Sequence, residues 1–262
     1  MRTFKKIKLT PLTEFESLKL KVASKKSWDI TQLPYDKQQE AVEHLMWLIH
    51  TQFKGKGVIV AGSRSGKTPN VMTQVRSGKN KGKVFSFQEP NPVRLYYHNA
   101  NAHLEEAYKH RIAFNSIPVT NQQQQGEIFA EFFSEISLGI VSLVMTVEGF
   151  INQLLSDTAT YNINGQEKTK SEIEWFDFNK KIREVIPLIS GIDYISSFKE
   201  DYDNLSLTNS LRDDLIHLKR IETANFTNYE TLFKRLLDFD PVNASNAVFN
   251  FVNTIKQNYF EE

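Results

Sequence analysis

Reading apolar against polar positions along the 262 residues divides the chain into an irregular first part and a helix-patterned second part. In the first, Ala41, Leu45, Leu48 and Ile49 recur at helical spacing and predict a helix from about Asp36 to Phe53, begun at Pro34 and Asp36. Val58-Ile59-Val60-Ala61, Val84-Phe85-Ser86-Phe87 and Val93-Arg94-Leu95-Tyr96-Tyr97 are short β-branched or aromatic runs. The turn formers Pro90-Asn91-Pro92 separate the last two, so a small antiparallel sheet is expected. A polar stretch from Asn115 to Thr120, followed by Asn121 and four glutamines, reads as a boundary. It sets a mixed α/β domain, 1–120, before a second domain, 121–262.

The second domain has a different rhythm. Phe129, Phe132, Phe133, Ile136, Ile140, Leu143, Val144, Val147, Ile151, Leu154 and Leu155 keep a period of three to four, which predicts a helix about 40 Å long. Its apolar face is wide enough for the centre of a bundle. A loop at Asn162-Ile163-Asn164-Gly165 follows, then a helix from Ser171 to Ile186 that Pro187 should end or kink. Further helical patterns cover Ser196 to Leu218 and Asn228 to Tyr259. The expected fold is α+β overall: a C-terminal all-α helical bundle with a smaller, mixed α/β, basic N-terminal domain. No internal repeat is detectable.

Charge sharpens this division. The net charge of +1 conceals 18 Lys+Arg against 7 Asp+Glu in residues 1–100, and 14 against 24 in 101–262, or +11 and −10. Two readings stand: an anionic partner such as nucleic acid for the basic part, or docking of the basic part on the acidic one. The absence of cysteine excludes disulfides, thiolate metal sites and a cysteine nucleophile, and fits a reducing, cytoplasmic setting. The uncharged run Ile136 to Val147 is too short to cross a bilayer, and the basic N-terminus has no apolar run behind it. Neither a membrane anchor nor export is expected.

The basic charge concentrates between Lys54 and Lys83, which hold eight basic residues, no acidic ones and six of the eleven glycines. Here Ala61-Gly62-Ser63-Arg64-Ser65-Gly66-Lys67-Thr68 satisfies the loose phosphate-loop pattern, in which backbone amides and a lysine hold phosphate and a hydroxyl holds magnesium. Its context is poor, because Pro69 draws Thr68 away from helical geometry and no helix or parallel-sheet pattern follows. A basic hairpin is the simpler reading, with Arg64, Lys67, Arg76, Lys79 and Lys81 available to RNA phosphates. A nucleoside-triphosphate-binding protein built on Lys67 is the alternative. Phe85, Phe87, Tyr96 and Tyr97 would stack on bases or fill the core of the small sheet.

The other candidate chemistry lies late in the helical part. Leu207, Leu211, Leu215 and Leu218 share one helix stripe; at about 100° per residue, Arg212 lies about 100° from Leu211 and His217 about 140° from Arg212. His217 is thus off the core stripe. Asp213, one turn before it, is placed to orient the imidazole. Arg212 and His217 converge on one phosphate if the helix loosens near Lys219 or if a second copy supplies the partner group. Glu148 and Asn152 stand one turn apart on the long helix, on a face with Val141 and Met145. They line a cleft beside the motif or form a buried polar bridge between helices.

Arg212-Asp213-Asp214-Leu215-Ile216-His217 resembles the Arg-x4-6-His motif of the HEPN family, and Glu148-Gly149-Phe150-Ile151-Asn152 resembles that family's Glu-x-Phe-x-Asn signature. The resemblance covers residues 126–262. It implies an HEPN-like helical domain and a metal-independent endoribonuclease of toxin–antitoxin or phage-defence type, acting as a homodimer with motif helices facing across a cleft. It further implies His217 as acid/base, Arg212 on the scissile phosphate and Asp213 as orienter, with no cofactor and no metal. RNA would be the substrate, and an antitoxin or defence-system protein a partner. The alternative is a non-catalytic HEPN-like scaffold that dimerises or binds RNA. His103, Glu106 and His110 share a helix but lack the further ligands of a metal site, and His44 and His50 look incidental.

Overall fold

A computed structural model describes residues 3–9, 57–61, 70–76, 84–88, 90–118, 120–218 and 229–261. The chain forms two compact units, Thr10–Asn91 and a discontinuous one made of Met1–Leu9 with Pro92–Glu262. The boundary therefore falls between residues 91 and 92, not at 120. The structure is mostly helical, with a small antiparallel sheet in the first unit.

Within Thr10–Asn91, β1 (Gly57–Ala61), β2 (Asn70–Arg76) and β3 (Val84–Gln88) pair as an antiparallel meander. The register puts Val58, Thr73 and Phe87 in one row. The phosphate-loop pattern is thus followed by a strand that folds back on β1, where a phosphate loop would open a helix. Arg76 ends β2, while Arg64, Lys67, Lys79, Lys81, His44, His50 and the helix expected over 36–53 lie outside the described residues.

The run Val93 to Tyr97 is not a strand. It opens α1 (Pro92–Ser116), with Pro92 at a helix start where its missing N–H costs nothing. Val93, Tyr97, Ala100, Leu104 and Ala107 are buried at helical spacing and pack along α2 (Gln122–Leu154). Gly139 permits the close approach of these helices, since a Cβ there would lie 2.5 Å from Leu104 Cδ2. Tyr97 stacks on Phe260, and neither Tyr97 nor its helix belongs to a sheet. The α2 helix has 33 residues, begins at an Asn121 side chain that accepts from the Gln124 amide, and buries Phe132, Ile136, Ile140, Leu143, Val147 and Ile151 in the core. By length and composition it is long and apolar enough to cross a membrane, a feature the shorter uncharged run did not reveal; one side of it is packed against its neighbours.

After α2, β4 (Thr160–Ile163) and β5 (Gln166–Thr169) form a hairpin turned at Asn164-Gly165, both with positive φ as a tight type I′ turn requires. The single helix expected over 171–186 is instead a series: α3 (Lys170–Glu174), α4 (Phe178–Lys180), a π-helical turn (Lys181–Val185) and α5 (Ile186–Ser190). Pro187 does not stop the chain, because it sits in the first turn of α5; Gly191, at φ 72°, ends it. Then come α6 (Tyr194–Ser197), α7 (Lys199–Ile216), α8 (Glu230–Asp238) and α9 (Pro241–Ile255), the last two separated where one helical pattern seemed to run on to Tyr259. Asp240 divides them by accepting from the Val242 and Asn243 amides as a helix cap.

The N-terminal segment, 3–9, completes this unit. Asn101 donates to the Lys5 carbonyl (2.9 Å), Arg94 to the Lys8 carbonyl (3.2 Å), and the Lys8 amide to the Glu261 carbonyl (3.1 Å), while Ile7 enters the core. Beneath it, the buried Ser245 hydroxyl donates to Asn101 Oδ1 and lies 3.1 Å from the Tyr97 hydroxyl.

Candidate functional site

The motif helix α7 is turned differently from the expected leucine stripe. Leu211 is buried and Leu215 half-buried, but Leu207 and Leu218 are exposed. The buried positions are Leu205, Thr208, Asn209 and Leu211, a face rotated roughly a quarter turn towards Arg212. Thr208 tolerates burial because its hydroxyl donates to the Asn204 carbonyl (2.7 Å). The outward side is held by Arg235 of α8, which donates to Asp214 and to Ser210 Oγ.

That rotation carries the Arg212 side chain to α2. Its Nη2 donates to Asn209 Oδ1 (2.7 Å) and to Glu148 Oε1 (3.3 Å), and Nη1 lies 3.3 Å from Asp213 Oδ1. The Arg212 side chain is only 22% exposed and its Nε is fully buried without a hydrogen-bond partner among the described residues. Asn152, one turn beyond Glu148, likewise has a buried Oδ1 with no such partner. The structure therefore brings Arg212, Asp213 and Glu148 together, with Asn152 on the same face of α2.

His217 stands apart. The helix ends at Ile216, and His217 caps it with φ −103° and ψ 40°, its amide donating to the Asp213 carbonyl (2.9 Å). Its imidazole is exposed and makes no hydrogen bond among the described residues. The Asp213 carboxylate faces Arg212 and accepts from Asn209 Nδ2 (3.5 Å), so it does not orient His217 as the helix wheel suggested. His217 is thus an exposed cap at the helix terminus.

A buried lysine not singled out from the sequence lies within electrostatic range of Glu148 and Arg212. Lys181, the first residue of the π-helical turn, is buried with 3% exposure. Burial pushes its ammonium below the ordinary lysine range, Arg212 adds to that, and Glu148, Glu174 and Asp177 oppose it. A readable signal existed: Lys181 falls on the same helical face as Phe178, Ile182, Val185 and Ile186, where a lysine is out of place.

The other sequence candidates have structural partners. His103 Nδ1 lies 2.7 Å from Glu135 Oε2 and His110 Nδ1 lies 3.2 Å from Glu131 Oε2, two ties between α1 and α2, while Glu106 pairs with Lys109 on its own helix. Among the described residues no three His, Asp or Glu side chains converge as a metal site would need. Comparison of the chain with protein-family models, with curated proteins and with solved structures returns no match.

Proposed function

We propose that the helical unit is an HEPN-like ribonuclease that cleaves RNA by attack of a 2′-hydroxyl on the adjacent phosphate, without a metal. The observation that carries the reading is the pairing of the two resembling motifs in space: Arg212 of α7 meets Glu148 of α2 at 3.3 Å. Arg212 offers a planar fork to the phosphate oxygens and their developing charge. His217, exposed at the end of α7, removes or delivers a proton. The O2′–P bond forms as the P–O5′ bond breaks, giving a 2′,3′-cyclic phosphate and a 5′-hydroxyl. Arg212 and His217 point from different sides of the α7 terminus, so a second copy completes the cleft. Leu138 and Met145, exposed on the α2 face that runs into Glu148, and Ile216 beside the motif histidine supply apolar surface for it. The basic Thr10–Asn91 unit holds RNA phosphates.

The non-catalytic scaffold is the second reading, favoured by the contacts Arg212 already makes to Glu148, Asn209 and Asp213. Cleavage of end-labelled tRNA and single-stranded RNA in EDTA separates the two. The ribonuclease reading predicts cyclic-phosphate ends from the wild type and a loss of about 100-fold or more in Arg212→Ala and His217→Ala. A folded dimer that leaves RNA intact supports the scaffold.

A further inference from the structure

His217 shares its side of α7 with a second arginine, supplied by α8. At about 100° per residue, Ser210, Asp214 and His217 fall within about 60° of one another, opposite the buried Leu205, Thr208, Asn209 and Leu211. His217 keeps to this stripe because its amide still donates to the Asp213 carbonyl, as a continuing helix would require. Arg235 lies along the stripe, its Nη1 donating to Asp214 Oδ2 and its Nη2 to Ser210 Oγ (3.0 Å). Little else holds the end of α7: full burial stops at Leu211, Leu215 is half-buried, and Ile216 and Leu218 are exposed. The α8 helix is a firm post for such a tie. Leu232 and Leu236 are buried, and the Phe233 ring meets Phe129 (5.1 Å) and Phe133 (5.8 Å) edge-on. Arg111 of α1 donates to the Leu237 (3.2 Å) and Phe239 (2.6 Å) carbonyls at the end of α8, where helical partners run out.

Asp214 stands three residues before His217, the spacing at which a carboxylate meets a side chain one turn further on. Released from Arg235, it would pair with the protonated imidazole and hold it against its own helix. We propose that Arg235 is a positioning residue for His217: it fixes the last two turns of α7 and keeps the Asp214 carboxylate off the imidazole. Arg235 acts without touching RNA. Its effect on cleavage rests on the ribonuclease reading; its hold on Asp214 does not.

The test uses the full chain in two arms. In the first, cleavage of end-labelled single-stranded RNA in EDTA is measured for the wild type, Arg235→Met, Arg235→Lys, Asp214→Asn and the double variant Arg235→Met/Asp214→Asn, with urea unfolding to correct for the folded fraction. Arg235→Met should lower kcat about fivefold or more and change KM less than about twofold, because proton transfer suffers while binding does not. Arg235→Lys, which still offers Asp214 a cation, should retain most of the rate. The double variant should be faster than Arg235→Met, since the released carboxylate is gone. Losses that multiply in the double variant, or a loss confined to KM, overturn the proposal. If Arg235→Met does not fold, Arg235→Gln makes the same comparison. In the second arm, the His217 imidazole is followed by NMR without RNA at one pH near neutrality, its resonances assigned with His217→Ala. They should move towards the protonated position in Arg235→Met and return in the double variant. Unmoved resonances overturn the hold on Asp214. Resonances that move as expected, in a protein whose wild type cleaves no RNA, refute the ribonuclease reading while the hold on Asp214 stands.

Discussion

The helical unit contains two polar networks that differ in one respect. Under the N-terminal segment, Tyr97, Asn101 and Ser245 bond to one another, and Asn101 and Arg94 reach the Lys5 and Lys8 carbonyls. At the other, Arg212, Glu148, Asn209 and Asp213 are bonded while Arg212 Nε and Asn152 Oδ1 are buried without a hydrogen-bond partner among the described residues. A network whose groups find partners fixes a fold; one that keeps unused donors and charge is held ready for something else. The first network serves stability; the second is where the proposed chemistry would take place.

Mutations at each end sharpen the contrast. The largest stability loss is expected for Asn101→Ala, about 3 kcal/mol by urea unfolding, since the Lys5 carbonyl and the Ser245 hydroxyl each lose a hydrogen bond. RNA cleavage per folded molecule should be unchanged; a matching loss of cleavage would erase the distinction. At the other network, Lys181→Met should raise stability near neutral pH by about 1 kcal/mol, because a desolvated charge is removed. The folded-state ammonium is pushed below its unfolded value of 10.5, so the unfolded chain binds more protons and the wild type gains stability as pH rises towards that value. The advantage of Lys181→Met should therefore shrink with rising pH, and a constant advantage would show that burial does not shift this lysine. Glu148→Gln should lower stability by no more than about 1 kcal/mol, as the pair is part-exposed, yet tighten RNA binding several-fold by freeing Arg212. The smallest effect, within about 0.5 kcal/mol, belongs to His103→Gln at a half-exposed tie.

The sequence exposed some of this organisation and concealed the rest for physical reasons. The long central helix was legible because its apolar positions repeat without interruption, and β1 and β3 because their short β-branched and aromatic runs are set off by Gly57, Gly62 and Gly82. The α1 helix was read as strand at Val93 to Tyr97, since five residues cannot distinguish a period of two from one of 3.6 in an apolar run. The boundary was drawn at 120 from the polar stretch after Asn115, which is the connection between α1 and α2. The face of α7 was misjudged because its buried side includes Thr208 and Asn209, whose hydrogen bonds make polar residues into core residues. Arg212 and Glu148 were found through spacing, but their contact depends on that rotation. Lys181 was missed because lysine in a helical pattern is by default solvated, and only its place on an apolar face argued otherwise.

The central claim is that the incompletely paired network serves chemistry rather than stability, and Arg212→Lys tests it most directly. This variant keeps the charge beside Glu148 and removes the planar fork. RNA cleavage in EDTA and urea unfolding are measured on the same preparation. The account predicts stability within about 1 kcal/mol of the wild type and cleavage reduced about 100-fold. Cleavage that survives in full, that falls only as the folded fraction falls, or that is absent from the wild type would contradict it.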